Sequence, residues 1–214
     1  MRLHRGGRFR AWLGTRLGGD AELGNRIWRR ILHGLGAVVL VYYLLPPHVL
    51  FGLPNAVIPL LALAAVFVLE ALRLAGDVEV PVTRPYEAHR LASYAYFAIA
   101  MVVSVLFFPE PIAAAVIVGT ALVDPLAGEL RASARYARLY PSVPYLVYVA
   151  LAAVTLLAVG HYPVASAVGL AALAGGIAIV AEWPKWGPVD DDLAMTLVPG
   201  VVLYVLVYLV PSLA

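Results

Sequence analysis

From residue 31 to residue 210 the chain is a succession of apolar runs, each of roughly 17 to 25 residues, the length a helix needs to cross the hydrocarbon core of a bilayer. No other feature narrows the possible folds so far. Lipid offers no partner for a backbone N–H or C=O, so a spanning segment must be a helix or part of a closed barrel. The runs are continuously apolar and do not alternate, which selects helices. Seven are expected, at 31–47, 54–74, 89–108, 111–130, 143–159, 163–181 and 193–210. Composition agrees: 63% of the 214 residues are hydrophobic and 13% are charged, far from the balance of soluble domains. The expectation is an all-α, polytopic integral membrane protein, with a basic arm over 1–30 and a seven-helix catalytic domain over 31–214.

Charge is sorted between the two ends of these runs. Residues 1–30 hold eight arginines, among them Arg26, Arg29 and Arg30. Beside a membrane span such an arm reads as an orientation signal lying on anionic headgroups, not as a nucleic-acid arm. Its basic stretch is also too long, and lacks the small-residue pattern, for a cleaved signal peptide. With the N-terminus cytoplasmic, Arg73, Arg84, Arg90, Arg131, Arg135, Arg138 and Lys185 all fall on the cytoplasmic side. The opposite loops carry neither Lys nor Arg, which places the C-terminus outside. Of thirteen acidic residues only Glu110 lies on the outer side. Mixed charge gathered on one face is what a polyanion with a divalent cation requires.

Some of these residues are costly where they stand. Asp124, in "GTALVDPLAGEL", lies inside the fourth run, roughly 6 to 9 Å along the helix from its end. A carboxylate at that depth costs several kcal/mol unless it is paired, hydrated or coordinating a cation, so it is a functional candidate. Pro125 loosens the helix beside it. Glu70 and Arg73 are three apart and share a helix face, as an ion pair or as site residues. Arg30 and His33, with Arg29, line the start of the first run. Asp190, Asp191 and Asp192 precede the last run, where one carboxylate suffices as a helix cap. Three adjacent carboxylates repel unless solvated or metal-bound. Magnesium takes one or two protein carboxylates and completes its shell with water and phosphate oxygens, which suits a loose acidic cluster. The chain contains no cysteine, no Walker-type loop and no serine elbow, and its five histidines lack zinc spacing.

Four stretches taken in order, "RRILHG", "LEALRL", "DPLAG" and "DDDLAMTLVPG", resemble the polyprenol kinase family, which includes dolichol, phytol and farnesol kinases and a CTP-dependent diacylglycerol kinase. The resemblance covers most of residues 26–200, and "RPYEAHRLASYAYFAIA" looks like the family's segment after the second span, with Glu87 at its acidic position. It implies transfer of the γ-phosphate of a nucleoside triphosphate, usually CTP, to a lipid alcohol at the cytoplasmic surface. Asp124 then matches the aspartate before a small-residue run, Asp190 and Asp191 the first two members of an Asp-Asp-Asn motif, and Glu182 the acidic residue before it. Asp192 stands where the family has asparagine. The family's glycine and lysine-serine segment is replaced by "ELRASARYARLYPSVPY", where Arg131, Arg135, Arg138 and Ser142 supply positive charge and a hydroxyl.

The expected assignment follows from that resemblance: Mg²⁺ held by Asp124, Asp190 and Asp191, CTP phosphates contacted by Arg29, Arg30, Arg131, Arg135 and Lys185, and Arg73 oriented by Glu70. His33 and Glu87 are the candidates for the base. The acceptor would arrive from the bilayer. Two rivals use the same residues differently: a CTP-dependent cytidylyltransferase acting on a lipid phosphate, and a non-catalytic lipid-binding homologue. A transporter fits less well, because its charges should line a path across the membrane.

Overall fold

The computed structural model describes residues 30–78, 80, 83, 87–182 and 190–213. Over these residues the chain is helical, with a single extended bridge, His48 to Pro54, in the first hairpin. Its helices are α1 (Arg30–Leu44), α2 (Val57–Leu74), α3 (Ser93–Phe107), α4 (Glu110–Ala132), α5 (Ser142–Gly160), α6 (Val164–Glu182) and α7 (Asp191–Leu209). Five of them, α2 and α4 to α7, are long and apolar enough to cross a membrane, whereas α1 and α3 are shorter apolar helices. All coincide with the apolar runs of the sequence.

Their limits have local causes. The second half of α1, Ala37–Leu44, tightens into a 3-10 helix and stops at Leu45, whose extended backbone (ψ 143°) is the one a residue before proline prefers. Glu110 and Pro111 open α4, with Pro in the first turn where its missing N–H is harmless. Pro125 in α4 and Pro199 in α7 lie inside helices, and each removes one ladder hydrogen bond.

Helix α4 is the centre of the bundle. It packs on α5, α6, α7 and α1, and 61% of its apolar window is buried. Small residues make that possible: Ala113, Ala115, Ala121 and Ala127 are fully or almost fully buried and bring neighbouring backbones close. At Gly119 a Cβ would lie 2.6 Å from the Tyr148 ring of α5, so only glycine fits that crossing. Helix α2 is the opposite case. Only 17% of its window is buried, and its buried residues are Pro59 and Glu70.

Candidate metal centre at the charged end

Ion pairs and hydrogen bonds gather one end of every helix together. Arg30 at the start of α1 pairs with Glu129 near the end of α4, and Arg131 pairs with Glu182 at the end of α6. Ser93 at the start of α3 donates to Asp190, the N-cap of α7, at 3.1 Å. Arg73 at the end of α2 reaches the segment before α3.

Within this end, three helices contribute one residue each to a compact centre. His33 of α1 presents Nδ1 to Asp124 Oδ2 of α4 at 3.6 Å and Nε2 to Asp192 Oδ2 of α7 at 3.9 Å. The side chains are 10%, 12% and 3% exposed, respectively. Both separations are longer than a hydrogen bond, yet one ligand atom from each residue lies within 4.8 Å of the other two. Two carboxylates converging in an apolar bundle repel, and a cation between them relieves both the repulsion and the cost of burial. A small divalent cation at about 2.1 Å from each oxygen requires a modest contraction of the cluster. The Phe97 ring covers His33, with ring centroids 4.7 Å apart.

The aspartate triplet divides by helix geometry. Asp190 is the N-cap, and its Oδ1 accepts from the Asp192 backbone N at 3.2 Å. Asp192, two positions on, turns into the bundle toward His33. The carboxylates of Asp190, Asp191 and Asp192 also lie within 4.8 Å of one another. Asp191 and Asp124 both act electrostatically on Glu182. Glu182 is buried, pairs with Arg131 and accepts from the Tyr140 hydroxyl at 3.4 Å. The Arg131 guanidinium lies 5.1 Å over the Tyr140 ring. Burial, and then the charge of Glu182, raise the Tyr140 phenol above its ordinary pKa, which keeps it a donor. Arg135 lies farther along the same loop, 5.3 Å over Tyr136. Arg131 is therefore a half-exposed neighbour of the buried Glu182, and Arg135 is exposed on the loop that follows α4.

Glu70 and Arg73 form a separate assembly. Glu70 is 2% exposed and accepts from Arg73 Nε and Nη2, both at 2.7 Å, from the Ala92 backbone N at 2.8 Å and from the Tyr94 hydroxyl. Arg73 also donates to the Glu87 carbonyl at 3.0 Å and the Arg90 carbonyl at 2.7 Å. Its guanidinium thus fastens residues 87–92 to α2. Glu87, 1% exposed, accepts from the backbone N of Ser93 at 3.2 Å and its hydroxyl at 2.9 Å. Ser93 links this assembly to Asp190.

Of the residues singled out in the sequence, the structure brings His33, Asp124, Asp190, Asp191, Arg30, Arg131 and Glu182 to one end. It groups Asp124 with Asp192 and His33, where the sequence pointed to Asp190 and Asp191. Arg29 and Lys185 lie outside the described residues. Ser93 and Tyr140 were not anticipated; each is a common polar residue near a helix end, with no sequence signal of its own.

No family model, no curated protein and no solved structure matches this chain.

Proposed function

We propose that the chain is a CTP-dependent kinase of a lipid alcohol, of the polyprenol kinase kind, with seven spans and its charged end in the cytoplasm. The observation that carries the reading is the convergence of His33, Asp124 and Asp192 from three membrane helices. The orientation rests on the arginines and the one lysine, which fall on a single side when α1 and α3 are counted as spans.

Hard carboxylate oxygens suit Mg²⁺, which keeps positions for phosphate oxygens. Asp124 and Asp192 would hold it, with Asp190 and Asp191 at the edge. When bound, the cation neutralises charge on the β- and γ-phosphates. The protein's part is positioning and exclusion of water. Arg131, braced by Glu182 and Tyr140, and Arg135 would contact phosphate oxygens of the nucleotide, which a guanidinium fits bidentately. The acceptor oxygen attacks the γ-phosphorus, the bond from phosphorus to the β–γ bridging oxygen breaks, and CDP leaves. The acceptor's proton passes to His33, which faces both carboxylates.

The test supplies purified protein in detergent with Mg²⁺, a polyprenol, a lipid phosphate and CTP labelled separately at the α and γ positions. γ-Label in the lipid is the expected result. α-Label would make the protein a cytidylyltransferase, and label in neither lipid would remove the catalytic reading.

A further inference from the structure

Helix α2 stands away from the bundle along most of its length. It is held at the charged end by the Glu70–Arg73 assembly, and its other buried residue, Pro59, lies near its start. Between α1, α2 and α3 this leaves an apolar groove of about 760 Å³, lined by Leu35, Val39, Ala62, Val66, Ala98 and Met101 among others. That volume falls within the range of small-molecule sites. On α2 the lining runs from Ile58 to Leu69, about 16 Å of helix and roughly half the hydrocarbon thickness.

The charged end of this groove adjoins the metal centre. Phe97 lines the groove and its ring lies tilted against His33, so one ring separates hydrocarbon from the imidazole that faces Asp124 and Asp192. Gly36 makes that placement possible, because a Cβ there would collide with the Phe97 ring. Tyr94 lines the same end and donates to Glu70, which supplies a polar rim. A second apolar groove of about 650 Å³, lined by Leu173, Gly176, Val180 and Val198 of α6 and α7, has no such contact with His33.

We infer that the α1–α2–α3 groove seats the hydrocarbon chain of the acceptor alcohol, with its hydroxyl passing Phe97 toward His33 and its tail running along α2 away from the charged end. This inference rests on the kinase reading for the identity of the head group. The groove explains how a lipid reaches a buried centre without leaving the bilayer: the chain enters between two helices, and only its head turns inward. It also gives the Glu70–Arg73 assembly a role, which is to fix the angle at which α2 leaves the bundle and so the width of the groove.

Two measurements separate this inference from the kinase reading. In the first, full-length protein in phosphatidylcholine nanodiscs, without nucleotide, is irradiated with a diazirine-bearing twenty-carbon isoprenoid alcohol, and labelled peptides are mapped. Label on α1, α2 and α3 that unlabelled alcohol competes away is expected. Label confined to the α6–α7 groove, or spread without competition over the lipid-facing surface, overturns the inference whatever the protein's activity. In the second, Ala62→Phe fills the groove from α2, a helix with little packing to disturb. Phosphoryl transfer to the twenty-carbon alcohol should then fall about tenfold or more while transfer to a five-carbon alcohol persists. Equal transfer by wild type and Ala62→Phe overturns the inference, and Gly176→Phe in the other groove should leave both substrates unaffected. Competed label in the groove without any transfer would retain the groove and remove the kinase.

Discussion

Two ionic assemblies lie at the same end of this bundle, and they are built on opposite plans. In the Glu70–Arg73 assembly opposite charges meet, and hydrogen bonds fill the geometry. Glu70 receives four donors, close to the capacity of a carboxylate, and Arg73 makes four of its five possible donations. In the His33–Asp124–Asp192 centre two carboxylates from α4 and α7 converge on one imidazole from α1, at 3.6 and 3.9 Å. The first arrangement is a fastener. The second is expensive as a piece of architecture, which is why we propose that it holds a cation. Burial of charge alone therefore does not distinguish the two assemblies; the sign of the neighbouring groups does.

The contrast can be broken at either end. Removing the Glu70 carboxylate, as in Glu70→Ala, leaves Arg73 without its ion pair beside buried backbone. It should lower stability by about 3 kcal/mol, read as a shift of the unfolding midpoint in detergent. A change below the resolution of that measurement would show that the fastener holds nothing. The centre should respond the other way. Asp124→Asn and Asp192→Asn, which keep shape and remove charge, should lower phosphoryl transfer by about 10²- to 10³-fold and leave the unfolding midpoint nearly unchanged. Retained turnover in Asp124→Asn would end its assigned role. Asp190→Ala sharpens the comparison within the triplet: loss of the cap should cost about 1 kcal/mol of stability with a smaller effect on turnover than Asp192→Asn. If the reverse order holds, Asp190 and not Asp192 belongs to the centre. The smallest expected change is in Arg135→Ala, in the exposed loop after α4, which should raise the KM for CTP with stability intact, most visibly at low salt.

Much of the fold was legible in the apolar runs, because bilayer thickness sets helix length and lipid forbids unpaired backbone. The helix of α2 begins at Val57, three residues inside the expected run, and α3 begins at Ser93, four residues inside its run, since residues 87–92 are drawn into the Arg73 assembly instead. Glu70 and Arg73 were legible as a pair from their spacing, but the carbonyls that Arg73 captures and the further donors to Glu70 come from another segment. Asp124 was legible from its depth alone. Which aspartate of the triplet meets it was not, because consecutive residues on a helix point about 100° apart and the phase is set by the cap. Asp190 takes the cap, and Asp192 is thereby turned inward. The place of His33 beside Asp124 needed α1 and α4 to be neighbours, which no local pattern encodes.

The account turns most directly on whether the convergent carboxylates bind a cation. Mn²⁺, a paramagnetic stand-in for Mg²⁺, can be titrated into purified wild type, Asp124→Asn and Glu70→Gln while the free ion is read by electron paramagnetic resonance. The account predicts a bound Mn²⁺ in wild type and in Glu70→Gln, and its loss in Asp124→Asn. Equal binding in wild type and Asp124→Asn, or loss only in Glu70→Gln, would contradict it.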